Sequence, residues 1–267
     1  MHKRYGRLAT LGELGRYPLL ISSLKHCLKY EWHLQNSPQD SIVGKAVSEM
    51  AEMPHLDTWY SRVQKIKTLF GIPHLRGNKD SVGLQLNKKL YSIFDRFWID
   101  QVNDLKIGSD GLDHNKLRFY KTLKGSFTQE PYITNILNKS QRAWLTRYRV
   151  SAVQNLRMES GRYTRPVTPV ASRLCNYCSN NCIDDEKHAI LLCSTFTIKR
   201  NCFFGKLSTL IQNFPNLNSD DQLLSILCPA NADIALCVSK YLSIVSDTRK
   251  KLDEGLSSDM LANYCKI

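Results

Sequence analysis

A cluster of metal-binding residue types constrains the fold of this chain more than any other feature. In the segment CNYCSNNCIDDEKHAILLC, four cysteines and one histidine lie within nineteen residues. Two thiols separated by two residues sit on a tight turn, where both reach one ion at about 2.3 Å. A later His-x4-Cys pair completes a tetrahedron and leaves no open position. The pattern predicts one structural zinc ion, bound by Cys175, Cys178, His188 and Cys193.

Alternatives to this ligand set remain open. Three residues separate Cys182 from Cys178, and Cys182 could replace one of the thiols as a ligand. Iron also accepts sulfur and nitrogen ligands. Disulfides are disfavoured because no secretory signal is visible: Glu13 and Arg16 interrupt the apolar segment near the N-terminus. No stretch approaches the ~20 apolar residues of a membrane span. We therefore expect an intracellular protein, nuclear or cytoplasmic, without a membrane partner.

The basic residues of the chain are unevenly distributed. Lys and Arg number 37 against 24 Asp and Glu, a formal net charge of +13. Residues 114–165 hold 11 basic and 2 acidic side chains, whereas residues 166–267 hold ten of each. A local excess of +9 favours RNA or DNA as partner over a merely solvated basic face. The side chains expected to contact phosphates are Lys116, Lys121, Lys124, Arg142, Arg147, Arg149, Arg157, Arg162 and Arg165.

The hydrophobic periodicity predicts a mainly α fold. Apolar residues recur three and four positions apart, Pro and Gly separate the periodic segments, and strand patterns are scarce. The predicted architecture is a helical bundle (1–113), a basic helical segment (114–165), a small Cys3His zinc knuckle (166–200) and C-terminal helices (201–267). Helices are predicted at 8–35 with a bend or restart at Pro18, and at 41–53, 56–70, 84–105, 115–123, 131–137, 140–158, 195–214, 218–228 and 232–252.

The segment 140–158 is predicted as one long helix that Ser140 caps at its N-terminus. Trp144 and Tyr148 fall on its apolar stripe, where core packing is favoured over stacking on nucleic-acid bases. Arg147 and Arg149 fall outside that stripe and are expected on the surface. Farther along, Ser219 or Asp220 is expected to cap the helix at 218–228. The acids before His188 are expected at a helix N-terminus, where one could accept a hydrogen bond from the ring: Asp184, Asp185 and Glu186.

Four motifs occur in an order that resembles the region after the polymerase core of non-LTR (LINE-type, jockey-like) retrotransposon reverse transcriptases. They are LGELGRYPLL, YKTLKGSFTQEPYI, RYRVSAVQNLRMESGRY and CNYCSNNCIDDEKHAILLCSTF. The resemblance covers about 8–30 and 117–200, and residues 1–113 are similar to the linker or thumb side of that region. It implies a C-terminal zinc knuckle and a role in holding template RNA or target DNA. Residues that match the family's basic segment are Arg147, Arg149, Arg157, Arg162 and Tyr163.

The polymerase chemistry of that family is not expected here. It needs paired aspartates on a strand turn, and the only Asp-Asp pairs are Asp184–Asp185 and Asp220–Asp221. We therefore expect a non-catalytic fragment or decayed copy, with a polymerase domain on a separate chain as a further candidate partner. The alternative is a zinc-stabilised protein-interaction module, because the chain after residue 165 has no net charge. A thiol or metal enzyme is disfavoured because the predicted ligand set is closed.

Overall fold

A computed structural model describes residues 2–53, 55–104, 106–107, 115–136 and 138–255, with only the backbone described for residues 2–5. Within these ranges helices dominate and no strand occurs, which confirms the mainly α prediction. The helices are α1 (His2–Leu14), α2 (Leu19–Gln35), α3 (Ile42–Glu52), α4 (Trp59–Leu69), α5 (Lys79–Asn103), α6 (Tyr120–Leu123), α7 (Tyr132–Asn135), α8 (Lys139–Arg149), α9 (Arg157–Ser160), α10 (Thr197–Leu210), α11 (Ser219–Leu227) and α12 (Ala232–Asp253).

The chain divides into two compact units. The small unit is Arg16–Asp100, and the large unit combines Met1–Gly15 with Gln101–Ile267. These units do not follow the four predicted segments, and the first predicted boundary, at 113, lies outside the described residues. The predicted break near Pro18 is confirmed, because α1 ends at Leu14 and α2 begins at Leu19.

The small unit contains α2, α3, α4 and most of α5. Side-chain caps begin two of these helices: Ser41 accepts a hydrogen bond from the Gly44 amide, and Thr58 accepts one from the Ser61 amide. The buried carboxylate of Glu31 on α2 pairs with Lys67 of α4 at 2.9 Å, so a charged contact joins two helices of this unit.

The large unit has one hydrophobic core built mainly by α8, α10, α11 and α12. Helix α12 packs along α8 and α10, and the ring of Tyr241 on α12 stacks on Phe203 of α10 at 4.0 Å between centroids. Ile190 and Leu191 from the cysteine segment belong to the same buried cluster. The cysteine segment is therefore an integral part of this core.

The long helix predicted at 140–158 is wrong in its extent. Helix α8 ends at Arg149, and Ser151 takes a positive φ of 49°, which an α-helix does not allow.

The predicted caps are wrong by one or two positions as well. Asn138 rather than Ser140 caps α8, and Asn218 rather than Ser219 or Asp220 caps α11. In both cases the asparagine Oδ1 accepts from two free amides of the first turn.

The chain after α1 turns through Gly15. This residue has a φ of +57°, and a Cβ placed on it would lie 2.5 Å from the backbone nitrogen of Gln129. We expect Gly15→Ala to lower the free energy of unfolding by about 1–3 kcal/mol, because the substitution combines strain with a backbone clash. Urea unfolding measures the change.

Gly6→Ala is the matched control for this substitution. Gly6 lies inside α1 and has open space around its Cα. Its replacement is expected to stabilise the chain by about 0.5–1 kcal/mol, because alanine favours the helix. Equal unfolding midpoints for Gly15→Ala and the wild type would contradict the expected strain at Gly15.

In the described part of the chain, no single helix has the length and apolar character needed to cross a membrane. Helices α11 and α12 meet those criteria only when taken together, and they bend by 105° at their junction. The apolar residues of both helices contribute to the core of the large unit.

Candidate metal centre

The structure brings the four predicted ligands together. One donor atom from each of Cys175, Cys178, His188 and Cys193 lies within 4.8 Å of the other three. Cys175, His188 and Cys193 are buried, and Cys178 is half-buried. This group of three sulfurs and one nitrogen could hold a metal ion, as the sequence predicts.

Two of the ligands come from a hairpin-like turn. An antiparallel bridge between Leu174 and Ile183 closes the turn, and the Cys175 amide donates to the Cys182 carbonyl at 2.9 Å. Within the turn, the amide of Tyr177 points at the Cys175 sulfur, 3.4 Å away. An amide donor stabilises a thiolate, which is the form of cysteine that binds a metal.

The other two ligands lie at the two ends of a π-helical turn, His188–Leu192. His188 is its first residue, and Cys193 follows it directly. Its defining hydrogen bond joins the ligands themselves, from the Cys193 amide to the His188 carbonyl at 2.8 Å. In an α-helix, residues five positions apart point about 140° away from each other. The wider turn removes much of this angle, so both side chains face the same site.

The distances within the cluster fit a tetrahedral ion. Ligands bound to zinc at about 2.0–2.3 Å lie roughly 3.5–3.8 Å from one another. The Cys175 and Cys193 sulfurs are 4.0 Å apart, and His188 Nε2 is 3.4 Å from the Cys178 sulfur. A hydrogen bond between the thiols of Cys175 and Cys193 raises the pKa of Cys175 to about 12 and lowers the pKa of Cys193. A metal would replace this shared proton.

Cys182, the alternative ligand in the sequence, lies outside the cluster. Its side chain is exposed, and its sulfur lies 3.3 Å from the carbonyl of Asn180. Its backbone carbonyl, rather than its thiol, contributes to the site by accepting from Cys175. The structure therefore favours Cys178 as the second thiol of the pair.

The three acids before His188 have three different contacts. Asp185 accepts from the His188 amide at 2.8 Å, as expected at a helix start, and Glu186 pairs with Arg118 at 3.2 Å. None of them binds the imidazole: the His188 Nδ1 atom is buried and has no hydrogen-bond partner among the described residues. The expected carboxylate contact to the ring is therefore wrong.

Asp184 connects the cysteine segment to α12. Its buried carboxylate pairs with Arg249 and accepts from the Arg157 amide at 2.8 Å. The Arg249 guanidinium also lies 4.4 Å from the Tyr177 ring centroid, next to the first thiol turn. Arg249 was not among the site residues predicted from the sequence. A signal existed, because Arg249 follows the core residues Tyr241 and Val245 at intervals of four.

The predicted phosphate contacts have very different environments. Arg147 and Arg165 are exposed, whereas Lys124 and Arg149 are buried. The half-buried members of the set are Lys116, Lys121, Arg142, Arg157 and Arg162.

Arg149 is not on the surface, contrary to the expectation from the sequence. Its guanidinium binds both carboxylate oxygens of Glu13 at 2.9 and 3.1 Å, and contacts Glu130 at 2.8 Å. Burial alone would lower the pKa of Arg149, but Glu13 and Glu130 hold that pKa above its ordinary value. Arg149 lies about 40° from buried Leu145 around α8, at the edge of the apolar stripe. It is therefore unavailable to a phosphate.

Several other basic side chains of the segment 114–165 also have internal partners. Lys124 pairs with Glu130 and donates to the Thr128 carbonyl, and Arg142 donates to two backbone carbonyls at the end of α7. Glu159 forms ion pairs with both Lys116, at 2.9 Å, and Arg162, at 3.2 Å. Much of the basic segment therefore stabilises the fold.

No protein-family model matches this chain, and neither a curated protein nor a solved structure matches it. The likeness to the reverse-transcriptase region therefore depends on the sequence motifs alone.

Proposed function

We propose that this chain is a non-catalytic nucleic-acid-binding module with one structural zinc ion. Zinc suits the site because three thiolates and one imidazole form a tetrahedral donor set of the type that zinc favours. Four protein donors leave no position for a substrate or for a reactive water, so the role of the ion is structural. The ordered motifs support an origin in the post-polymerase region of a non-LTR reverse transcriptase.

The net positive charge is the observation that supports binding to a nucleic acid. Ion pairing does not alter the net charge of +13, although Glu130 and Glu159 each contact two cations. A net positive charge of this size attracts a polyanion. Contacts to phosphates supply affinity with little sequence preference, and the template or target could be RNA or DNA.

Three exposed basic residues are the best candidates for phosphate contacts. Lys139, at the start of α8, was not among the predicted contacts, whereas Arg147 and Arg165 were. None of the three forms an ion pair with another residue of the described ranges. Their charges are therefore free to replace the counterions of a nucleic acid.

The test is binding of RNA and DNA oligonucleotides, measured by fluorescence anisotropy at several salt concentrations. We expect affinity to fall steeply with salt, and the double variant Lys139→Gln/Arg165→Gln to bind at least tenfold more weakly. For duplex DNA, the slope of log affinity against log salt should decrease by about one per lost contact. Lys240→Gln, an exposed lysine of α12, is the control and should bind like the wild type. Salt-independent binding, or none, would refute the proposal.

A protein-interaction module is the second candidate function. Large apolar side chains are exposed in the small unit, among them Leu19, Ile42 and Leu69, which expose 84%, 87% and 78% of their surface. Exposed apolar residues of this size are typical of binding surfaces when they form a contiguous patch. Partner capture that survives Lys139→Gln/Arg165→Gln but is lost in Ile42→Ser would favour this function.

A further inference from the structure

The four donors of the candidate metal centre differ in their access to solvent. Cys193 is fully buried, Cys175 is 7% exposed and His188 is 2% exposed. Cys178, by contrast, is half-buried, so it is the most exposed of the four. A small reagent that approaches the cluster from solvent therefore has easier access to Cys178 than to the two other thiols.

The hydrogen bonds to the three sulfurs differ in the same direction. The Tyr177 amide points at the Cys175 sulfur, and the Thr195 amide donates to the Cys193 sulfur. Among the described residues, no amide or hydroxyl donates to the sulfur of Cys178, which contacts His188 Nε2 at 3.4 Å. A donated hydrogen bond stabilises a thiolate and makes it a weaker nucleophile. Cys178 is therefore both the most accessible and the least stabilised thiolate of the set.

A second sulfur lies close enough to Cys178 to complete an oxidation. The donor atoms of the cluster all lie within 4.8 Å of one another, and Cys175 shares the tight turn of Cys178. Two residues separate these cysteines, which is the spacing of redox-active thiol pairs. A disulfide requires the two sulfurs to approach to about 2.05 Å. A rearrangement confined to this turn is sufficient for that approach.

We propose that Cys178 is an oxidation site, at which hydrogen peroxide opens the metal centre. The Cys178 thiolate attacks one peroxide oxygen, so that an S–O bond forms, the O–O bond breaks and hydroxide leaves. The Cys175 thiolate then attacks the sulfur of this sulfenic acid and displaces a second hydroxide, which leaves a disulfide. Two thiolates are oxidised and one peroxide is reduced, and the two donors that remain are too few to hold zinc. This inference rests on the proposed function, because it starts from the zinc-bound state.

Oxidation at this site should be transmitted to the large unit. Cys175 and Cys193 belong to its buried cluster, and Asp184 of the cysteine segment pairs with Arg249 on α12. Because metal binding and folding are coupled, loss of the ion removes stability from these contacts. A disulfide is reduced by thiols, so the response is reversible.

The test exposes the zinc-loaded wild type to hydrogen peroxide and follows zinc release with a coloured zinc indicator. One zinc ion per chain should be released, and mass spectrometry of peptides should show a Cys175–Cys178 disulfide. Dimedone traps sulfenic acids, and in its presence the adduct should form on Cys178. A thiol reductant together with added zinc should restore the metal content and the melting temperature.

Two variants separate Cys178 from its neighbours. Cys178→His keeps a zinc-binding donor that cannot form a sulfenic acid, so it should release zinc at least tenfold more slowly than the wild type. Cys182→Ser is the matched control, because Cys182 is exposed but lies outside the ligand cluster. It should release zinc at the wild-type rate. The dimedone measurement uses the wild type and therefore decides the question even if Cys178→His does not fold.

The inference is overturned if peroxide leaves the zinc in place, or if Cys178→His releases zinc as fast as the wild type. It is also overturned if the sulfenic acid of the cysteine segment forms first on Cys175, Cys182 or Cys193. Any of these results from a zinc-containing wild type would leave the proposed function intact. Absence of zinc from the purified wild type would instead refute the structural zinc ion on which both depend.

Discussion

Cys175→Ser is expected to abolish binding of the proposed zinc ion and to unfold much of the large unit. Structural zinc contributes about 10–16 kcal/mol in zinc-finger peptides, which is comparable to the whole stability of a typical domain. Cys175 and Cys193 are buried in the same cluster as the apolar faces of α10 and α12. The loss of structure should therefore extend from the cysteine segment to these helices. Mass spectrometry should show one zinc per wild-type chain and none in the variant. Circular dichroism should show a large drop in melting temperature.

Cys182→Ser is the matched control for this experiment. It replaces a thiol of the same loop that is exposed and outside the ligand cluster. This variant should retain one zinc and melt within a few degrees of the wild type. A strong chelator should lower the melting temperature of Cys182→Ser and of the wild type, but not that of Cys175→Ser. Loss of zinc from Cys182→Ser would identify Cys182 as a ligand and contradict the assignment of Cys178.

Arg149→Ala should be among the most destabilising substitutions outside the metal centre. It leaves the carboxylate of Glu13, which is 1% exposed, without its guanidinium partner. Glu130 keeps Lys124, but loses its second cation. Removing one partner from a buried ion pair costs about 3–5 kcal/mol, because the remaining charge is desolvated and uncompensated. Urea unfolding followed by circular dichroism measures the loss.

Arg147→Ala separates the effect of burial from that of residue type. Arg147 lies two positions earlier on the same helix, but it is exposed and forms no ion pair with any described residue. Its replacement removes the contact of Arg147 with the Trp144 ring and should lower the free energy of unfolding by no more than about 1 kcal/mol. If both variants lost similar stability, the loss would reflect removal of arginine from α8 and not the buried pairs.

The helices and the ligand spacing could be predicted because both depend on neighbours in the chain. Apolar residues three or four positions apart form one helix face, which is why Ala232–Asp253 was predicted to within one residue. Caps were less predictable, because Asn138 and Ser140 both offer a side-chain oxygen near the same helix start. The end of α8 at Arg149 was missed, because no proline or glycine follows until Gly161.

The sequence by itself determined the helical class and the four donor atoms of the candidate metal site. These features follow from periodicity and from spacings of a few residues, over which the backbone geometry leaves little freedom. Only the tertiary structure decided which basic side chains remain available to a partner. Arg149 meets Glu13 across 136 positions, and Arg249 meets Asp184 across 65. No local pattern encodes such pairs, because electrostatic attraction depends on distance in space and on burial, which packing alone establishes.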